Sequence, residues 1–300
     1  MSRTTTFTST ESDATTRFSD FWELTKPRLS LMNVVTAALG YFAAGPETNY
    51  LVFGSLLGGT TLAAFGAAAL NMWWERHEDS LMERTASRPT VTGRVSMTQA
   101  WVVGIVLSLL GVLWLLFGVN WMASVLTAAT VLLYVLAYTP LKKITPWATE
   151  IGAIPGALPP LIGWIAAGAG FSGLGWILFA FLFAWQIPHF MAICWNCRND
   201  YEAAGFKTWA QEDPTGTNVA WRALLWTVAM VVISFLPWGT SGLGWLFLVS
   251  TSLLGLFILR PAIAFVQPSK RREAGRKLFL ATIAYLPLYL MVLVVDRFIF

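Results

Sequence analysis

The sequence predicts an all-α, polytopic membrane protein. Three observations point there. Of 300 residues, 56% are hydrophobic and only 12% are charged, about half the ~25% usual in soluble domains and too few to coat one. Apolar stretches near the ~20 residues needed to span a bilayer recur along the chain. The polar connections between them alternate between long and short, and the charge sits on the long ones. The 16 tryptophans suit the membrane–water interfaces where Trp collects.

Residues 1–21 are polar, Ser/Thr-rich and lack an apolar core, so they read as a disordered cytoplasmic tail and not as a secretory signal. Residues 22–300 read as a single nine-span domain, with candidate spans near 29–45, 51–74, 100–119, 121–139, 147–168, 173–196, 219–238, 241–264 and 277–299. The short connections at 45–50, Asn120, Gly170 and 238–242 carry no Lys or Arg. The long ones at 75–99, 140–146, 197–218 and 265–276, with the tail and adjoining helix ends, hold every Lys and Arg except Arg297. The positive-inside rule then places the N-terminus in the cytoplasm and the C-terminus outside an inner membrane, and an odd number of spans satisfies this. Acids follow the same side, with Glu47 and Asp296 opposite. Acids contribute little to topology, so their concentration suggests a polar site at that face.

The second span runs into Asn71-Met-Trp-Trp-Glu75-Arg-His-Glu-Asp79, followed by Arg84 and Arg88. In a continuous helix Asn71, Glu75 and Asp79 share one stripe. Such oxygen donors suit Mg2+, which takes carboxylates, water and substrate phosphate. The stripe extends ~12 Å, so three ligands on one ion require a helix break; otherwise two ions, or one ion with a supporting residue, are expected. Arg84 and Arg88 are suited to grip diphosphate oxygens. A solvated mixed-charge loop is the alternative, weakened by the cost of placing Asn71 and Glu75 at a membrane boundary.

The sixth span ends Trp185-Gln-Ile-Pro-His189 through Asn196-Cys197-Arg198-Asn-Asp200. His189, Asn196 and Asp200 fall on one helical stripe, and Asn196-x3-Asp200 echoes Asn71-x3-Glu75. The two polar ends read as facing halves of one metal–diphosphate site, with ligands drawn from Asn71, Glu75, Asp79, Asn196 and Asp200. A buried His is often structural. Here both histidines of the chain, His77 and His189, lie in these two motifs, and His is a common axial ligand of haem iron. The only cysteines, Cys194 and Cys197, exclude a disulfide scaffold and have no redox-motif context. Lys142 and Lys143 read as topology determinants or as cations for a diphosphate leaving group. The cluster Lys270-Arg271-Arg272 with Arg276-Lys277 reads as lipid-headgroup contact.

Taken together, these stretches resemble the haem-farnesylating branch of the UbiA prenyltransferase superfamily. The resemblance lies in Glu23 to Arg28, the Asn71 motif with Arg84-Thr85 and Arg88-Pro89, Tyr138-Thr139 with Lys142-Lys143, Gly152 to Trp164, and Pro188-His189-Phe190 with Arg198-x-Asp200-Tyr201. It covers roughly residues 22–297. It implies nine helices around a central cavity open sideways to lipid, Mg2+ as cofactor, and haem b and farnesyl diphosphate as substrates. Mg2+ on Asn71, Glu75, Asp79 and Asp200 would hold the diphosphate, assisted by Arg28, Arg84, Arg88, Lys142, Lys143 and Arg198. His189, with Trp185 beside it, would bind haem. Haem A synthase or oxidase assembly factors would be partners, alongside the lipid bilayer; nothing points to nucleic acid. The chain departs from the family pattern at Glu75 and His77, where Asp is usual, and over Lys207–Asp213. The alternatives are a prenyltransferase for an aromatic quinone precursor and a non-catalytic haem-binding or transport protein. Transporters keep intramembrane charge near the midplane, whereas here it gathers at one face.

Overall fold

The computed structural model describes residues 17–45 and 48–299. Most of the predicted tail, and Glu47, lie outside the described residues. The tail's predicted end needs correction, because Phe18–Leu24 form a helix, α1. The helices that follow are α2 (Pro27–Ala43), α3 (Tyr50–Trp74), α4 (Arg76–Leu81), α5 (Met97–Gly118), α6 (Trp121–Leu132), α7 (Thr139–Leu141), α8 (Ala148–Ala166), α9 (Gly173–Asn196), α10 (Arg198–Ala203), α11 (Trp209–Glu212), α12 (Thr217–Ser241), α13 (Trp245–Val266) and α14 (Arg271–Ile299). A π-helical segment, Leu133–Tyr138, joins α6 to α7 in one continuous rod.

Among the described residues, 7 helices are long and apolar enough to cross a membrane. The other two predicted spans are helical but fall short of that measure. Helix α2 has 17 residues. Helix α8 has 19, carries Pro155, Pro159 and Pro160, and is buried along most of its length. The lipid-facing surface carries many large exposed apolar side chains, including Leu109, Leu132, Val232, Leu253 and Met291, as a hydrocarbon environment permits.

Lipid tails are as apolar as leucine, so helix association in a bilayer depends on close packing of small residues. The α3–α5 crossing follows this rule. A Cβ on Gly66 would lie 2.4 Å from the Ser108 nitrogen, and one on Gly111 would lie 2.5 Å from the Ala63 nitrogen. Helices α2 and α8 meet even more closely: a Cβ on Gly40 would sit 2.1 Å from the Pro160 oxygen and one on Gly163 1.8 Å from the Ala37 oxygen. These crossings fix the ends of α2 and α3 and bring the long loops together at one end of the bundle. There Arg94 binds Asp20 and Glu23 of α1, and the Lys207 amide donates to the Lys142 carbonyl. The opposite end holds Asp296, whose carboxylate accepts the Gly244 and Phe247 amides at 2.7 and 2.8 Å and so caps α13.

Arg271 corrects an expectation. It is buried, not presented to headgroups, and its guanidinium donates to the carbonyls of Phe265, Val266 and Thr215. It ties the start of α14 to the end of α13 and to the loop before α12.

Gly163→Ala is expected to destabilise the protein by about 2–3 kcal/mol through overpacking. Gly173→Ala, where no atom lies within 4 Å of the new Cβ, should change stability by less than ~0.5 kcal/mol. Denaturant unfolding in detergent checks this; equal stability of the two variants would show that the α2–α8 crossing does not depend on its glycine.

Candidate functional site at the polar end of the bundle

Helix α3 ends at Glu75, whose φ of −91° and ψ of 16° put it in the bridge region of backbone space, where active-site residues often sit. The helix thus breaks between Asn71 and Asp79, the condition under which their spacing would let them approach one ion. Beyond it, α4 turns three acids inward: Glu75, Glu78 and Asp79 are only 5%, 2% and 0% exposed. An unpaired buried charge costs about 3–5 kcal/mol, and each acid has a cation. Lys142 Nζ lies 2.6 Å from Glu75 Oε1, Lys143 pairs with Glu78, and Arg88 Nη1 lies 2.5 Å from Asp79 Oδ2. Burial alone would raise the Glu75 carboxyl, but Lys142 and Lys26, with Arg88, outweigh it and hold it below the usual range.

Asn71 is locked from two sides. Its Oδ1 accepts from Lys26 Nζ at 2.5 Å, and its Nδ2 donates to Thr139 Oγ1 at 3.1 Å. The Thr139 hydroxyl in turn donates to the Tyr134 carbonyl at 2.9 Å, across the π-helical segment; such segments are frequent at functional sites. Lys26 was not among the predicted site residues. It has a left-handed backbone (φ 47°, ψ 57°), the sole positive φ outside glycine among the described residues. Such strain costs about 1–3 kcal/mol and clusters at functional sites. Burial, with Arg88 and Lys142 close by, pushes its ammonium down to about 7 against the pull of Glu75 and Asp79. Arg28, the predicted cation of this segment, is exposed on the first turn of α2 and has no side-chain partner among the described residues.

The two motifs do face one another. Met82, just after α4, packs with Ala204, Phe206 and Tyr201 of the second motif. The Lys142 ammonium lies 4.5 Å from the Tyr138 ring centre and 5.6 Å from that of Phe206. Burial pushes the Cys197 thiol up, with Arg84 opposing and Asp200 reinforcing the shift, so Arg84 of the first motif and Asp200 of the second act on one neighbourhood. The sequence echo is out of register, however. The first helix breaks at its acid, Glu75, whereas α9 breaks at Cys197, one residue after Asn196. Asp200 therefore belongs to α10, separate from the stripe of His189 and Asn196.

His189 and Asn196 both meet α14. A Cβ on Gly275 would lie 3.1 Å from Asn196 Oδ1, and His189 Nδ1 lies 2.8 Å from Thr282 Oγ1. Trp185 stacks on the His189 ring with centroids 4.9 Å apart. Arg198 folds back onto Trp195, its guanidinium 4.7 Å from the ring centre. Arg84 is exposed, and so is His77, whose carbonyl accepts from Ser80. The departing segment Lys207–Asp213 has structural work: Trp209 stacks under the Arg222 guanidinium at 3.6 Å, Glu150 binds Arg222 at 3.3 Å, and Asp213 accepts the Thr215 and Asn218 amides ahead of α12.

Besides Lys26, sequence reasoning missed Glu78, Thr139 and Thr282. Glu78 lies off the four-residue stripe and becomes visible only through the turn at Glu75. The two threonines are ordinary helix residues in sequence, and only their partners on other helices single them out.

The donor set fits Mg2+. Asp79 Oδ1 is buried without a hydrogen-bond partner, which native structures rarely tolerate. The Asp200 carboxylate likewise has no hydrogen bond or ion pair among the described residues. Carboxylate and amide oxygens match a hard cation. No three His, Cys, Asp or Glu side chains among the described residues gather tightly enough to hold an ion alone, so water and substrate oxygens would complete the shell, as Mg2+ prefers.

The sequence pattern of the UbiA prenyltransferase family matches residues 33–283. A protoheme IX farnesyltransferase from Opitutus terrae is 46% identical over 292 residues, spanning 96% of this chain and 98% of the relative. A solved structure of digeranylgeranylglyceryl phosphate synthase superposes with a TM-score of 0.80 at 16% identity, covering 94% of this chain and 99% of that one. A UbiA homolog from Archaeoglobus fulgidus bound to GPP and Mg2+ gives 0.64 at 13% identity, over 91% and 99%. These two likenesses establish the shared fold.

Lys26→Met is expected to weaken Mg2+-dependent binding of inorganic pyrophosphate about tenfold or more, the loss of one charged hydrogen bond, and Arg28→Met to weaken it less. Calorimetry on the detergent-solubilised protein decides; a larger loss in Arg28→Met would return the role to the residue the sequence suggested.

Proposed function

Because the chain belongs to the UbiA prenyltransferase family, we propose that it transfers a farnesyl group from farnesyl diphosphate to a vinyl group of haem b, with Mg2+ assisting diphosphate departure. The observation that carries the donor half is Asp79: a fully buried carboxylate with one oxygen paired to Arg88 and the other without a partner among the described residues. The acceptor half draws on the Opitutus relative's name and on His189, set within the long helix α9.

Asn71, Glu75, Asp79 and Asp200 would supply oxygens to Mg2+ together with water and diphosphate oxygens, since no three acids among the described residues gather on one point, and the ion would contribute Lewis-acid stabilisation of the leaving diphosphate. The protein's own groups do the rest. Lys26 fixes the Asn71 amide. Lys142 and Arg88 pair with Glu75 and Asp79 and, with Arg84 and Arg28, offer donors to the phosphate oxygens. Cations arranged before the reaction act most strongly where negative charge develops, in a site shielded from water. As the C–O bond breaks, the electron pair leaves with diphosphate and an allylic cation remains. The haem vinyl group attacks it, forming the C–C bond, and water adds to the resulting benzylic-type cation with loss of a proton. No strong general base is required. The Trp185, Phe190 and Phe279 rings around His189 form apolar walls that exclude early water, and His189 orients the haem. The one-sided charge supports a reading in which the polar end, with the N-terminus, faces the cytoplasm, and an inner-membrane location belongs to the same proposal.

Mass spectrometry of haem extracted after incubating the purified protein with haem b, farnesyl diphosphate and Mg2+ tests the reading. A hydroxyethylfarnesyl haem is expected, absent with EDTA and reduced by about 10²-fold or more in Asp79→Ala, the loss of one group that stabilises developing charge. Prenylation of 4-hydroxybenzoate in place of haem would keep the reaction class and remove the acceptor.

A further inference from the structure

Thr282 is fully buried on α14. Its hydroxyl donates to the Phe279 carbonyl at 2.6 Å. A threonine hydroxyl has a single proton. With that proton committed, Thr282 Oγ1 can meet His189 Nδ1, 2.8 Å away, only as an acceptor. Nδ1 then carries the ring proton, and the neutral imidazole keeps its lone pair on Nε2. No other hydrogen bond of the His189 ring occurs among the described residues, so Nε2 is uncommitted.

The same residue holds the ring's neighbour. Trp185 Nε1 donates to the Thr282 carbonyl at 2.8 Å. Trp185 and Phe279 both stack on the imidazole, with interplanar angles of 17° and 27° and centroids 4.9 and 5.1 Å away. Thr282 thus fixes the histidine through its side chain and a stacking partner through its backbone. Pro188, immediately before His189, lacks the amide that would bond the Ala184 carbonyl, and this local relaxation of α9 lies beside the ring it presents.

We propose that Thr282 is a positioning residue that holds His189 as the Nδ1–H tautomer, so that Nε2 is presented as a ligand to the iron of the haem acceptor. The identity of that ligand rests on the function proposed above; the tautomer does not. Histidines that bind metals characteristically donate their second ring N–H to a fixed acceptor, and loss of that acceptor weakens metal binding by about 10–100-fold.

The chain has only 2 histidines, so nitrogen-15 NMR of the full protein, labelled at histidine and free of haem, resolves both rings, with exposed His77 as the reference. Wild type and Thr282→Ser are expected to show His189 protonated at Nδ1 and bare at Nε2. Thr282→Val, which keeps the shape and the backbone carbonyl but loses the hydroxyl, should lose this single-tautomer pattern. Titration with ferric haem b, followed by the Soret band, should show a His189-dependent ligation signature that His189→Ala removes. Thr282→Val should weaken it about tenfold, and Thr282→Ser should restore it. An Nε2–H tautomer in wild type, or an unchanged tautomer in Thr282→Val, overturns the positioning role. The expected tautomers without any His189-dependent haem spectrum overturn the iron half together with the haem reading.

Discussion

The burial of three carboxylates at the end of α3 is the constraint on which the polar end depends. Buried acids need partners, and Glu75, Glu78 and Asp79 take theirs from cations elsewhere in the chain. Lys142 and Lys143 must be delivered by the loop after α7, and Arg88 by the loop after α4. That requirement fixes the α6–α7 rod against α3 and closes the 82–95 loop over the site. It also explains the π-helical segment: it sets Thr139 where it can accept from Asn71 while donating to Tyr134. A buried ion pair is weak evidence of added stability. Its value here lies in specificity, because each cation holds an acid in place before any substrate arrives.

Close backbone packing makes this arrangement possible. The α3–α5 crossing, where Gly66 and Gly111 admit the facing backbones, holds α3 so that its last turn meets Lys26 and Thr139. The α2–α8 crossing holds α2 near Ala37 and Gly40, toward the opposite end of that helix from the left-handed Lys26. On the other side of the bundle, α9 and α14 do for His189 what α3 and α7 do for Asn71: each functional side chain is held by a hydroxyl from a neighbouring helix, Thr282 in one case and Thr139 in the other. Stacked rings and a second hydrogen bond complete the first arrangement, and an ammonium completes the second.

The all-helical class, most of the spans and the one-sided charge were legible in the sequence because they depend on local composition. So was the polar character of Asn71, Glu75, Asp79, Asp200 and His189, which stands out against apolar helices. Helix geometry showed that three ligands on one ion would need a break between Asn71 and Asp79, but not that the chain breaks at Glu75. Lys26 could not be chosen over Arg28, since the choice rests on a left-handed backbone that brings one residue inward. Arg271 looked like the rest of its basic cluster and differs only by the carbonyls it meets. The shortfall in α8 has a related cause: buried along most of its length, it needs less apolar character than helices that face lipid, whereas α2 is simply shorter, at 17 residues.

The central claim is that the buried acids form a metal-dependent diphosphate site, with Asp79 Oδ1 as its open ligand. Calorimetric titration of inorganic pyrophosphate into the purified protein, with Mg2+ or with EDTA, in wild type and in Asp79→Asn, tests it most directly. The account requires binding that depends on Mg2+ and disappears in Asp79→Asn while the variant remains folded. Equal binding with EDTA, or full binding in Asp79→Asn, would contradict it and leave the carboxylates as structural partners of Lys142, Lys143 and Arg88 alone.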